Sequence, residues 1–340
     1  MSQSKESNSS IYILKAICAC LVVFIHIPDI NNEALLFLPF LRIAVPCFFM
    51  ISGFYLVPEG GGEISVLKVN KQIVRILKII LFSNIIYLIY WILNNVVQGY
   101  SILDSSWLTM KFWGRWLLLG DNICYPLWYL TSYLQVLLIL RLIVMFRVPN
   151  FLHILVPFLL MLSVLFNRYS FTWTEYHFDV SMSRNTLLCA FPCVLLGAWI
   201  HKSLNIWTEL QFSKTIVIYI IIVVAAYIES FLLGYFHIDG SGADFNLLTY
   251  PLAFITFIIC LKYPKATILP RGARVLLVKI GQKEAINIYL YHVLVASAIG
   301  LMATAIPIVK YLENAECVIV ICILGSLFIS HLKIRFYKLA

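Results

Sequence analysis

Lys15 and His26 stand eleven positions apart in one apolar segment, Ile11-Tyr-Ile-Leu-Lys15-Ala-Ile-Cys-Ala-Cys-Leu-Val-Val-Phe-Ile-His26. A lysine at the centre of a membrane helix costs roughly 2.5–3.5 kcal/mol on insertion scales, so something must offset it. Eleven residues make close to three helical turns, which puts both side chains on one face, about 16 Å apart along the axis. That face carries a cation near one end and an imidazole near the other. An imidazole titrates near neutral pH and can take the proton of a hydroxyl within its reach. A histidine satisfied by a helix carbonyl, or one simply at the interface, accounts for the same residue.

Other polar residues punctuate the apolar runs. Arg42 opens Leu41-Arg42-Ile-Ala-Val-Pro46-Cys-Phe-Phe-Met-Ile-Ser52-Gly53. It could hold an acidic group or a developing oxyanion, or it could snorkel to the interface. Ser52 and Gly53 read as close-packing residues. Lys71, Arg75 and Lys78 are spaced four and three, so they share a helix face that could bind phosphates. Topology signalling or contact with anionic lipid explains them equally. Trp128, Tyr129 and Tyr133 read as interface anchors. Arg184 and Asn185 open another apolar run with polar groups. Glu229 lies inside a run and could be a general-acid partner or an ordinary contact between helices. His292 sits in a further run, where it could be a structural donor or part of a substrate path.

The elements that must position these residues follow from composition. Of 340 residues, 62% are hydrophobic and only 12% are charged. Mean hydropathy is +0.92. A soluble domain is about 25% charged, so the chain reads as an all-α polytopic membrane protein. Ten spans are expected, at about 11–28, 36–57, 76–97, 126–146, 149–167, 184–201, 214–235, 246–262, 285–306 and 315–332. Nineteen of the 25 Lys and Arg fall on one side of this arrangement, leaving Arg42, Lys111, Arg115, Arg168, Arg184 and Lys310 on the other. The positive-inside rule then puts both termini in the cytoplasm, Lys15 near the inner surface, His26 near the outer one and His292 in the inner half. The opposite segments are acidic, with Asp29, Glu33, Asp121, Asp179 and Asp239 among their residues. A single domain is expected, with no fused soluble domain and no cleaved signal peptide. Eight of the nine cysteines lie in apolar runs, where cysteine behaves as a small hydrophobe, and only Cys124 falls near a surface. No Cys or His spacing suggests a metal site. The net charge of +9 follows topology and does not signal nucleic acid.

Taken in order, these segments resemble the acyltransferase 3 family over nearly the whole chain. Lys15-x10-His26 keeps the family's first-helix spacing, with Lys where the family has Arg. Arg42-Ile-Ala-Val-Pro-Cys-Phe-Phe-Met-Ile-Ser-Gly-Phe-Tyr is similar to its second-helix stretch, and the patch through Arg75 to its basic loop. Leu127-Trp128-Tyr129-Leu130, Arg184-Asn185 with Gly197, and Ile288-Tyr289-Leu290-Tyr291-His292 resemble later family segments. The resemblance implies a membrane O-acyltransferase, O-acetylation being the usual case. It would move an acyl group from cytoplasmic acyl-CoA, such as acetyl-CoA, to a hydroxyl of an extracytoplasmic glycan or glycolipid. It implies no bound cofactor and a bacterial inner or plasma membrane. His26 would act on the acceptor hydroxyl. Lys15, Lys71, Arg75 and Lys78 would meet the donor's phosphates, and Arg42, Arg184 and Trp128 the acceptor. A lysine keeps the charge but loses the planar fork that grips phosphate bidentately. A transporter or flippase for a glycan or lipid-linked intermediate would also use intramembrane charge and ten helices.

Overall fold

A computed structural model describes residues 8–26, 38–60, 62–101, 107, 109–146, 150–174, 176, 178–236, 238, 245–306 and 314–339. Among them there is no strand. The helices are α1 (Ser9–Ile25), α2 (Leu38–Arg42), α3 (Ala44–Leu56), α4 (Val66–Gln98), α5 (Met110–Leu118), α6 (Trp128–Met145), α7 (Val156–Leu165), α8 (Ser170–Thr174), α9 (Phe191–Lys202), α10 (Leu204–Glu209), α11 (Phe212–Tyr235), α12 (Thr249–Lys262), α13 (Arg271–Lys279), α14 (Ala285–Ala305) and α15 (Ala315–Leu339). Six stretches are long and apolar enough to cross a membrane: Pro39–Leu56, Val66–Gln98, Tyr125–Met145, Val180–Lys202, Phe212–Tyr235 and Arg271–Ala303. Four shorter apolar helices, Ser9–Ile25, Leu152–Leu165, Thr249–Lys262 and Ala315–His331, occupy the other expected positions. Several acidic segments expected opposite the basic ones, with Asp29, Glu33 and Asp239, lie outside the described residues.

α1 is the hub. Its flanks touch α2, α3, α12, α13, α14 and α15. Ile11, Leu14, Cys18, Ala19, Val22 and Val23 are all buried, so the helix is enclosed rather than lipid-facing. Asn8 caps its start by accepting from the Ile11 amide at 3.1 Å. In lipid, helices associate through van der Waals contact, and small residues let backbones meet. A Cβ on Gly53 of α3 would lie 1.9 Å from the Val194 carbonyl oxygen of α9, and one on Gly197 of α9 would lie 1.9 Å from that of Met50. The two helices therefore meet backbone to backbone, with Gly53 in the packing role expected of it.

Two spans begin earlier than their hydropathy suggests. α4 starts at Val66 rather than 76, because Ser65 caps it and nothing in Val66–Arg75 breaks a helix. Its 33 residues extend about 50 Å, longer than the roughly 30 Å hydrocarbon core, so its basic first turns project beyond it. Lys71 and Arg75 are thus helical, not in a loop. α14 is likewise continued backwards through a π-helical turn, Ile280–Glu284, into α13. At that turn Gly281 packs against α1, where an added Cβ would stand 1.8 Å from the Tyr12 carbonyl oxygen. Counting from Arg271 places His292 about 32 Å along the helical rod rather than near its start.

Other residues differ from expectation for local reasons. α5 was not expected: it is a short amphipathic helix whose Met110, Trp113, Leu117 and Leu118 are exposed. Trp116 ties it to α4 by donating to Asn84 Oδ1 at 3.0 Å. Cys124 is buried, not superficial, beneath the turn that starts α6. All nine cysteines are free thiols. Between α14 and α15, Asn287 Nδ2 donates to Ser330 Oγ at 2.8 Å, and the Ser330 hydroxyl donates to Glu284.

Replacing Gly197 with Ala should cost about 1–3 kcal/mol by overpacking the α3–α9 contact, whereas Gly234→Ala, which faces open space, should be neutral. Thermal unfolding of the two variants in detergent checks the difference.

Candidate active site

Two cavities lie toward opposite ends of α1. The smaller, about 30 Å³, is lined by Val22, Ile25, His26, Arg42, Val45, Trp128, Arg184, Phe245 and Tyr289. It brings together all four residues assigned by sequence to the acceptor side: His26, Arg42, Arg184 and Trp128. The larger, about 520 Å³, is lined by Lys15, Lys68, Lys71, Arg75 and Lys283, and by Tyr12, Ser52, Tyr55, Tyr129, Tyr133 and Tyr289 among others. It gathers Lys15, Lys71 and Arg75; Lys78 is not part of its wall. Among the described residues, no aspartate or glutamate lines it. Five cations without a carboxylate suit an anionic ligand of several charges.

The hydrogen bonds of His26 fix its tautomer. Its Nδ1–H donates to the Val22 carbonyl at 2.8 Å. The same Nδ1 lies 3.1 Å from His292 Nε2. His292 in turn donates from Nδ1 to the Ile288 carbonyl at 3.1 Å, which leaves its Nε2 with a lone pair. Both contacts of His26 Nδ1 are therefore donations, shared between a carbonyl and an imidazole. The basic nitrogen of His26 is Nε2. Should Nε2 take a proton, the resulting imidazolium already has two acceptors at Nδ1. Tyr125 flanks the His26 ring with centroids 4.9 Å apart.

This pairing corrects the expected place of His292. It lies against His26, at the opposite end of α1 from Lys15, because α14 runs parallel to α1 and its rod starts at Arg271. The aromatics of α6 also differ from expectation. Tyr129 and Tyr133 are buried walls of the basic cavity rather than interface anchors.

The walls of the histidine pocket are held by local caps. Asn185 accepts from the Leu188 amide at 2.8 Å and donates to the Met182 carbonyl at 2.7 Å, which sets the turn carrying Arg184. Asp179 caps the preceding turn. The Ser181 hydroxyl and amide lower its carboxyl pKa, with nearby Arg115 and Arg184 adding to the effect. Glu229 does not reach the pocket. It accepts from Tyr169 Oη at 2.6 Å and from the Leu247 and Leu248 amides at 2.6 and 2.9 Å. It therefore pins the turn that carries Phe245 and starts α12, which is the role of a contact between helices and not of a general acid. Arg168 supports the same turn through Asn246 Oδ1 at 3.0 Å.

Sequence reading passed over Tyr289 and Lys283 as site residues. Among the described residues, Tyr289 is the one common to both linings. Its only sequence signal is a position one helical turn before His292.

A family model described as an acyltransferase domain, that of the acyltransferase 3 family, matches residues 8–331. No curated protein and no solved structure matches the chain.

Glu229→Ala removes the acceptor of three hydrogen bonds and should destabilise the protein by about 2 kcal/mol. Hydrogen exchange in detergent should show faster exchange at the Leu247 and Leu248 amides, with little change at Val22–His26.

Proposed function

The chain belongs to the acyltransferase 3 family, and on that premise we propose that it transfers an acyl group, acetyl in the first instance, from acyl-CoA to a hydroxyl of a glycan or glycolipid outside the cytoplasm. The observation that carries this reading is the division of labour along α1. A basic cavity with no carboxylate among its described lining residues lies at one end, and a histidine with only Nε2 left as a base lies at the other, beside two arginines. The first suits a donor with several phosphates, and the second an uncharged or acidic sugar.

The basic cavity opens to the cytoplasm when ten helices cross the cell membrane with both termini inside, the arrangement the distribution of Lys and Arg favours. Lys15, Lys71 and Arg75 hold the donor phosphates, joined by Lys68 and Lys283. The thioester end points along α1 toward His26. Arg42, Arg184 and Trp128 hold the acceptor with one hydroxyl at His26 Nε2. His26 removes the hydroxyl proton as the oxygen attacks the thioester carbonyl carbon. A C–O bond forms, the C–S bond breaks, and the departing thiolate takes the proton back from the imidazolium. The products are an O-acyl ester and a free thiol. His292 holds the His26 ring through Nδ1 and shares the positive charge, as the orienting partner of a general base does.

His26→Ala in purified, detergent-solubilised protein should lower transfer from labelled acetyl-CoA to a glycan acceptor by about 10²–10⁴-fold while the protein stays folded. Transfer at the wild-type rate would remove His26 from the mechanism. His292→Ala should lower kcat about tenfold, in keeping with a partner that orients the base. Arg75→Ala should act on the donor KM instead.

A further inference from the structure

The two cavities share one side chain on their walls. Among the described residues, Tyr289 alone lines both. Its ring is held on several sides. The Tyr129 centroid lies 5.2 Å away, Phe48 meets it edge-on at 6.0 Å, and His292 lies at 6.3 Å. Its hydroxyl donates to the Pro126 carbonyl at 2.8 Å, tying it to the turn that starts α6. The residue is 3% exposed and rises from α14, a continuous helix. A ring clamped in this way is a fixed, shared stretch of wall, a partial partition rather than a swinging one.

On the far side of that partition, the space beside His26 is about 30 Å³, far smaller than the 520 Å³ of the basic cavity. Val22, Ile25, Val45 and Phe245 line it with apolar groups. A thioester presented from the basic cavity must bring its carbonyl carbon to this place. Whatever follows that carbon along the acyl chain must then fit between Tyr289 and these walls.

We infer that Tyr289 is the residue that restricts the transferred acyl chain to a short one. The inference rests on the acyl-CoA reading above and adds the residue that sets donor selectivity. A methylene gained or lost in an apolar pocket changes discrimination by about 10–200-fold, so a clamped ring at this position suffices to separate acetyl from longer chains. Replacing the ring with a small side chain opens room for the chain on both sides of the partition.

The test is kcat/KM for acetyl-, butyryl- and octanoyl-CoA with one glycan acceptor, in wild type, Tyr289→Phe, Tyr289→Leu and Tyr289→Ala. Wild type should prefer acetyl over octanoyl by at least tenfold. Tyr289→Phe keeps the ring and should keep that preference, although it loses the bond to Pro126. Tyr289→Ala should shift the octanoyl-to-acetyl ratio upward by tenfold or more. Tyr289→Leu, which keeps more of the buried volume, should move the same way and carries the comparison if the alanine variant does not fold. Acetyl transfer with an unchanged ratio in the leucine and alanine variants overturns the inference and leaves the acyltransferase reading standing. So does a wild-type enzyme that uses octanoyl-CoA as well as acetyl-CoA. Absence of transfer by wild type from all three donors overturns the acyltransferase reading itself, and this inference with it.

Discussion

Backbone contact between helices is the constraint on which the other features depend. Hydrocarbon surrounds an apolar side chain as comfortably as another helix does, so burial alone cannot draw membrane helices together. What remains is close packing. At Gly53 and Gly197 the α3 and α9 backbones touch, and at Gly281 the α13–α14 rod touches α1. These approaches bring α1 into the interior and fix α3 and α14 beside it. Both cavities are lined by these three helices together with α6, so their shapes follow from contacts that carry no chemistry of their own.

The same packing determines what happens to polar groups at membrane depth. Buried polar groups must be paired or must face a wet cavity. Lys68 donates to the carbonyls of Tyr55 and Val57 at 3.0 and 2.6 Å, which closes the end of α3 while the side chain also lines the basic cavity. Glu229 and Glu284 satisfy hydroxyls and amides between helices. His26 and His292 spend three of their four ring nitrogens on one another and on helix carbonyls. The fourth, His26 Nε2, is the atom left for chemistry. Charge in this protein thus sorts into groups that close the structure and groups that line a cavity, and the second set is small.

A membrane enzyme that joins a soluble donor on one side to an acceptor on the other must let the reacting atoms meet without opening a pore. On the proposed reading, a wide basic cavity for the donor, a much smaller one at the base and the Tyr289 ring on the walls of both suit these requirements. On that reading, the donor's bulk and charge would stay in the basic cavity and only its reacting end would approach His26.

Much of this was legible in the residues. Hydropathy marked the apolar helices, since a run of apolar residues must be helical to satisfy its backbone in lipid. The eleven-residue spacing put Lys15 and His26 toward opposite ends of one helix, and ordered short motifs pointed to the family. The errors have a common origin. Hydropathy ends where charge begins, so it missed the basic first turns of α4 and the α13 extension, and with them the height of His292. Partners distant in the chain were invisible, because helical periodicity gives the faces of one helix but not the axial register of two. His26 and His292 are 266 positions apart and meet only because glycine contacts set that register. Tyr129, Tyr133 and Tyr289 looked like ordinary membrane aromatics for the same reason. The sequence by itself determined the class of protein and its candidate base. Only the tertiary structure decided which imidazole holds that base, where Glu229 acts and which ring borders both cavities, since each depends on how rigid helices are set against one another.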